Sequence, residues 1–280
     1  MLNIIISMYE CVKTCIFVDG ETSAPIYSKL GVRQGECLSP FLFAIYVNDL
    51  ENNLASVDTG ITILYVKLFV LFYADDAVIF ASSAIDLQTA IDEFHRYCTK
   101  WKLKVNTEKS RIMVFRKGRP RLIELWTYGG VEIPICSQIS YLGLVLSSNG
   151  SFNTAQIKLA AQANKAIFSM QKNLNKFVGL KPSLLIGLFD KLILPILHYA
   201  SEVWGFHPAP AIERLHLKFC KRMLQVKTTT QNDFIYGELG RIPLSKLRLI
   251  SIIKYWLKIV HGKKSLYVNV CYQLGLKKSQ

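Results

Sequence analysis

The stretch Leu71 to Phe80 reads LFYADDAVIF, two runs of aromatic, β-branched and aliphatic residues with two adjacent carboxylates, Asp75 and Asp76, between them. Burying an ionised carboxylate is costly, so any fold that uses these runs as core must carry the acids out of it. Two strands meeting at the acids satisfy that demand, and Asp is a common turn residue. By itself the pair is explained by a hairpin turn. The rest of the chain decides whether a turn is all that the pair is.

Charge narrows the choice. The chain of 280 residues holds 34 Lys and Arg against 20 Asp and Glu, a net charge of +14. A surface of that sign attracts polyanions. The surplus is clustered: Arg96 to Arg121 contains ten Lys or Arg and one acid, Glu108, and Leu239 to Gln280 contains nine Lys or Arg and no acid. Clustering favours a binding surface over general solubility. The seven cysteines are spread along the chain without a C-x-x-C pair, which argues against a disulfide framework and for a reducing compartment. His216 and Cys220 share a helical face as an i, i+4 pair, but no second ligand pair stands near them to complete a zinc site. The N-terminal residues MLNIIISMYECVK lack the features of a signal peptide. Ile61 to Tyr73, interrupted by Lys67, is too short an apolar run to span a bilayer as a helix. No membrane partner is therefore expected.

The pattern of elements follows from periodicity and breakers. Leu2 to Val12 is of helical length, and short strands are expected at Cys15 to Val18 and Pro25 to Leu30 about the turn Asp19-Gly20. GVRQGECLSP, Gly31 to Pro40, is a glycine-punctuated loop. Ser39 is the expected N-cap of a helix reaching Asn53, with Pro40 at its first position. After the Asp75-Asp76 hairpin an amphipathic helix is expected from Asp86 to Trp101, with Leu87, Ala90, Ile91, Phe94 and Cys98 on one face. Strands follow at Arg111 to Phe115, before the basic turn RKGRPR, and at Tyr141 to Leu146. A long helix is expected from Thr154 to Val178, its core stripe formed by Ile157, Ala161, Ile167, Phe168, Leu174 and Phe177. Beyond Lys181 the chain reads as mostly helical. This order predicts an α+β fold, an antiparallel sheet with helices on one face followed by a helical region, with the domain boundary at the composition break near residue 150.

Loop GVRQGECLSP, helix FLFAIYVNDL, hairpin FYADDAVIFA, the helix ending YCTKW and the block KLKVNTEKSRIMVF resemble, in order and spacing, the polymerase core of reverse transcriptases from LINE-type (non-LTR) retrotransposons. YLGLVL, LILPILHYASEVWG, IERLHLKFCKRML and IYGELGRIPL resemble the downstream part of the same reading frames, so the resemblance covers nearly the whole chain. It implies RNA-directed DNA polymerase activity, with an RNA template, a DNA primer and deoxynucleotides as partners. It implies a partial right-hand palm with a primer-grip region over residues 1–150, and a thumb-like and basic helical region over 151–280.

The resemblance also implies roles. Asp75 and Asp76 are the expected metal ligands and catalytic acids, serving two Mg²⁺ ions that clamp nucleotide phosphates and activate the primer hydroxyl. Tyr73 and Ala74 border the nucleotide site, with Ala74 small enough for the primer end to approach. Arg33, Gln34 and Gly35 face the template and nascent base pair, although a plain helix-entry loop would also use glycine here. Lys109 matches the lysine placed to neutralise the leaving pyrophosphate; a solvated lysine in a basic run is the other reading. Tyr141, Leu142 and Gly143 resemble the primer grip, and could equally be core and turn residues.

One departure stands against these matches. The family's further aspartate, in a block resembling D-x-x-x-A-F-D, has no counterpart: Asp19, Asp49 and Asp58 lack its flanking pattern. The chain is therefore expected to lack the first palm strand and most of the fingers, and to be inactive in isolation. The alternative function is a non-catalytic nucleic-acid-binding remnant.

Overall fold

The computed structural model describes residues 2–28, 31–115, 125–174, 181–262 and 266–278. Contacts divide the chain into two compact units, Met1–Val105 with Trp126–Val131, and Asn106–Leu125 with Glu132–Gln280. The composition break at residue 150 falls inside the second unit. Helices and small antiparallel sheets make up an α+β chain. Each sheet among the described residues has only two strands, so the single antiparallel sheet expected from the sequence is replaced by separate hairpins. The strands are two to four residues long, and the pairs that form are mostly those whose ends are already close in sequence, where loop closure costs least entropy.

In the first unit, α1 (Leu2–Tyr9) precedes β1 (Val12–Thr14), β2 (Phe17–Val18), β3 (Glu21–Thr22) and β4 (Ile26–Ser28). β2 pairs with β3 about Asp19-Gly20, both at positive φ, and β1 pairs with β4 outside them. The helix expected from Ser39 to Asn53 is broken into α2 (Ser39–Tyr46) and α3 (Leu50–Ser56). Ser39 is not its cap: the hydroxyl donates to the Arg33 carbonyl at 2.5 Å, and the residue before it, Leu38, takes the cap position. The break serves Tyr97, whose hydroxyl donates to Asp49 Oδ1 at 2.5 Å from α4 (Ala84–Lys100). Burial, followed by the hydrogen bond and charge of Asp49, pushes the Tyr97 hydroxyl far up from its ordinary pKa.

Between α3 and α4 come β5 (Ile61–Ile63), β6 (Val66–Leu68), β7 (Val70–Tyr73) and β8 (Asp76–Ile79). α4 starts at Ser83, whose side chain accepts from the Asp86 backbone N–H, and it buries Ala90, Ile91, Tyr97 and Cys98, with Leu87 and Phe94 half-buried on the same side. The expected face is present, with Tyr97 added to it. Leu50, Leu54, Val70, Ala90, Tyr97 and Cys98 form the core of this unit. β9 (Trp126–Tyr128) lies along α4, with Trp126 Nε1 donating to the Ala84 carbonyl at 3.0 Å.

In the second unit the strand expected at Arg111 to Phe115 is reduced to a single parallel bridge between Ile112 and Ile135, and the turn RKGRPR lies outside the described residues. β10 (Val131–Ile133) is followed by the hairpin of β11 (Gln138–Tyr141) and β12 (Leu144–Ser147), then α5 (Asn153–Leu174). The stripe expected on α5 is displaced. Ile157 is 61% exposed and Phe168 60%, while Ala155, Leu159, Ala163, Ile167 and Met170 are buried; Leu174 packs at the core's edge, Ala161 is exposed and Phe177 lies outside the described residues. The buried face mixes the small Ala155 and Ala163 with Leu159, Ile167 and Met170, so that small and large side chains interdigitate with the neighbouring elements, where dispersion contacts are densest.

The chain continues as α6 (Pro182–Leu188), a π-helical turn (Phe189–Ile193), α7 (Leu194–Leu197), α8 (Ser201–Trp204), α9 (Pro210–Met223), α10 (Asn232–Glu238), α11 (Leu244–His261) and α12 (Leu266–Lys278), of which the π-helical turn, α7 and α9 pack on α5. Proline opens several of these helices, as expected where an N–H has no intrahelical partner.

A polar cluster sits inside this helical core. Arg241 clasps Asp190 through both terminal nitrogens, at 3.0 and 2.5 Å, and donates from Nε to His216 Nε2 at 3.1 Å. His216 stacks on Phe189, and Phe189 stacks on Phe219. Accepting from Arg241 requires a neutral imidazole. Burial, reinforced by the Arg241 charge, lowers His216 to about 4. Burial and Arg248 lower His198 to about 4 as well. Cys220 is buried in the same core, with its thiol pushed up to about 11 mainly by burial.

Unfolding frees both histidines to take a proton near their ordinary pKa of about 6.5, so between that value and about 4 the unfolded chain binds more protons. The contribution of these histidines to the stability of the second unit is therefore complete above that window and is lost as pH falls through it. Urea midpoints measured from about pH 7.5 down to about pH 4.5 should drop, and the drop should shrink in a His198→Gln, His216→Gln double variant.

Candidate active-site hairpin

β7 and β8 pair in the register Val70↔Ile79, Leu71↔Val78, Phe72↔Ala77 and Tyr73↔Asp76, leaving Ala74 and Asp75 as a two-residue turn. Ala74 has φ 53, whereas Asp75 has negative φ, the pattern of a hairpin turn whose first position favours glycine. The hairpin spans two environments. Val70 at its base is buried among Leu50, Leu54 and Ala90, and Phe80 N donates to the Phe69 carbonyl at 2.8 Å. From Leu71 to Ala77 the residues are exposed, Tyr73 by 63%. Both carboxylates are thus held in water by strands whose roots are in the core.

Two exposed acids suit a hard oxygen-seeking cation such as Mg²⁺, which is commonly bound by one or two carboxylates with water and substrate phosphates. They do not make up a two-ion centre. Among the described residues no group of three or more His, Cys, Asp or Glu is placed to hold a metal. The three aspartates upstream of the hairpin have structural tasks. Asp19 occupies a positive-φ turn, Asp49 accepts from Tyr97, and Asp58 pairs with Lys67 Nζ at 2.6 Å.

In the glycine loop Gly31 and Gly35 take φ of +86 and +84, which only glycine adopts at no steric cost. Gln34 is exposed. Arg33 is turned the other way: its Nη1 pairs with Glu36 Oε1 at 2.8 Å, its Nη2 reaches the Met8 carbonyl, and its guanidinium lies over the Tyr9 ring. Tyr9 Oη donates to the other Glu36 oxygen at 2.9 Å. Glu36 and Tyr9 were not singled out from the sequence; the Arg-to-Glu i, i+3 spacing was the available signal.

In the second unit Lys109 is exposed in a turn whose backbone N–H donates to Asn106 Oδ1 at 3.1 Å. Tyr141 is half-buried at the end of β11, and Leu142 and Gly143, with φ of 47 and 80, form the β11–β12 turn. Tyr199, another residue with no sequence signal, caps that turn by donating from its hydroxyl to the Leu142 carbonyl at 2.6 Å.

The sequence matches the family described as Reverse transcriptase (RNA-dependent DNA polymerase) over residues 2–146. The chain belongs to this family. Its relatives include an RNA-directed DNA polymerase from mobile element jockey of Drosophila funebris, 24% identical over 81% of the chain and 25% of the relative. A Retrovirus-related Pol polyprotein from type-1 retrotransposable element R2 of Popillia japonica is 26% identical over 89% of the chain and 41% of the relative. A putative uncharacterized transposon-derived protein of Caenorhabditis elegans is 24% identical over 58% of the chain and 59% of that protein. The chain thus spans from about a quarter to under two thirds of the length of these relatives. The likeness to non-LTR retrotransposon reverse transcriptases read from the motifs holds.

The two hairpin turns make opposite demands on side chains. At Gly143 a Cβ would meet the Tyr199 ring at 3.3 Å in a left-handed backbone, so Gly143→Ala should cost about 1–2 kcal/mol. Ala74→Gly should change stability by less than about 0.5 kcal/mol, because relief of the left-handed backbone is offset by the entropy of glycine in the unfolded chain. Ala74→Val should cost roughly 1–3 kcal/mol. Denaturation midpoints of the three variants check this ordering.

Proposed function

We propose that this chain is a portion of a non-LTR retrotransposon RNA-directed DNA polymerase, acting on an RNA template and a DNA primer with deoxynucleotides as substrates. The observation that carries the reading is the hairpin, which holds Asp75 and Asp76 in water at the tip of two core-rooted strands in a chain of the reverse transcriptase family. In this reading residues 1–150 form part of the palm with the primer grip, and residues 151–280 form the thumb and a basic helical region.

Asp75 and Asp76 are the chain's own contribution to a Mg²⁺ site, and a bound ion supplies charge neutralisation at the nucleotide phosphates. Tyr73 and the small Ala74 border the space where nucleotide and primer end meet. Gln34 and Gly35 present side chain and backbone to the template strand, and Arg33, engaged by Glu36 and Tyr9, fixes the loop that carries them. Lys109 offers a mobile cation to phosphate oxygens. Tyr141, Leu142 and Gly143 form a primer-grip turn stiffened by Tyr199. No helix among the described residues is long and apolar enough to cross a membrane.

For the chain in isolation a second reading is favoured by the lack, among the described residues, of a third acid beside Asp75 and Asp76. In that reading the isolated chain binds nucleic acid through its basic surface and does not turn over.

Primer extension and binding test both statements. The purified chain should bind a primer–template duplex with an affinity that falls by about a hundredfold or more between about 50 and 200 mM salt, and should not extend the primer. When the hairpin Leu71 to Phe80 is exchanged into an active relative, extension should persist and Asp75→Asn in the exchanged hairpin should abolish it. Extension that survives Asp75→Asn returns the acids to a turn role, since Asn suits turns as well as Asp does.

A further inference from the structure

α11 buries one face and leaves another uncovered. Leu244, Arg248 and Ile252 are inside, facing α8 and α9. Arg248 is held there by Glu213, whose carboxylate accepts from Arg248 Nη2 at 3.0 Å and from the Leu244 backbone N–H at 3.1 Å. On the outer side Leu249, Ile253 and Trp256 are each 47% exposed, with Ile250 and Leu257 beside them also exposed. Lys246, Leu249, Ile253, Trp256 and the half-buried Val260 recur at intervals of three, four, three and four residues, the a/d spacing of a helix-pairing seam. An apolar helical stripe of this kind, exposed in a helix anchored on its other side, marks a docking surface.

Charge selects the occupant. Every charged residue of α11 is basic, and Leu239 to Gln280 contains no acid at all. Lys246 sits within the seam, and Lys254 and Lys258 flank it in exposed positions. We infer that this face of α11 docks an amphipathic α-helix with acidic side chains beside its apolar stripe, one of which meets Lys246. A cation at a seam position is costly in a paired interface unless an opposite charge faces it, and such a residue sets register and partner choice. A second copy of the helix brings only more cations. Phosphate backbones do not match the aliphatic centre of the stripe, because they leave Leu249, Ile250 and Ile253 without an apolar partner.

The four tryptophans provide a direct readout, since Trp126 and Trp204 are buried, Trp101 is half-buried and Trp256 lies in the seam. The probe is a designed helical peptide with leucines at a/d positions, glutamates at flanking positions and one glutamate opposite Lys246. Titrated into the full chain, it should shift tryptophan emission to the blue and saturate. Ile253→Ser, at an exposed position that the fold does not need, should weaken it by about tenfold or more. Lys246→Glu should weaken the acidic peptide and strengthen a lysine-substituted version, a reversal that loss of folding cannot produce; circular dichroism of both variants checks the fold. Equal binding of acidic and basic peptides, or no binding of either, overturns the inference. Capture of the chain by phosphatidylserine vesicles that Ile253→Ser abolishes, with the acidic peptide inert, assigns the face to a membrane surface instead. Dimerisation in sedimentation that Ile253→Ser abolishes assigns it to self-association.

Discussion

Val70 and Asp75 are five residues apart and live in opposite media. The first unit is organised around keeping them so. A carboxylate pair tolerates no burial without partners, and a two-stranded hairpin of this length has little stability of its own. The hairpin therefore has to be rooted: Val70 enters the core between α3 and α4, with Phe69 and Ile79 packed against it, while the strands run out into water from Leu71 onward. Tyr97 completes the root by holding Asp49 at the break between α2 and α3. Rigidity at the base and hydration at the tip are what a site for charged substrates requires of its scaffold.

The second unit solves a related problem by different means. Its two largely buried guanidiniums are paired: Arg241 with Asp190 and His216, Arg248 with Glu213. Each guanidinium also lies over an aromatic ring, Arg241 over Phe189 and Arg248 over Trp204. Buried charge of this kind fixes which helices meet, since an unpaired member is costly. α9 supplies His216 to one cluster and Glu213 to the other, one helical turn apart, so it binds the chain segments before and after it into one body. The neutral state of the imidazole is part of that arrangement, because a second cation beside Arg241 would oppose it.

The chain shares its family's sequence, and among the described residues its hairpin holds two adjacent acids in water without a third beside them. The match to the reverse transcriptase family covers residues 2–146, and the described residues bring no third His, Cys, Asp or Glu beside Asp75 and Asp76. The three upstream aspartates have local surroundings of their own. Asp19 sits in a positive-φ turn, Asp49 accepts from Tyr97 and Asp58 pairs with Lys67.

The sequence by itself determined what local rules reach. The hairpin at Asp75-Asp76, the turn at Asp19-Gly20, the amphipathic face of α4 and the helical character beyond Lys181 all follow from periodicity, turn chemistry and proline placement, which act over a few residues. The family was legible because its motifs are ordered along the chain, and order survives at low identity. Only the tertiary structure decided where long-range partners overrule local preference. It broke the helix after Tyr46 to meet Tyr97, turned the Ser39 hydroxyl from a cap to the Arg33 carbonyl, engaged Arg33 with Glu36, and put Leu159, Ala163, Ile167 and Met170 of α5 inside while leaving Ile157 and Phe168 in water. A helix has several faces that satisfy the same periodicity, and which one is buried depends on how closely the neighbouring helices must approach, a property of the packed molecule and not of any one segment.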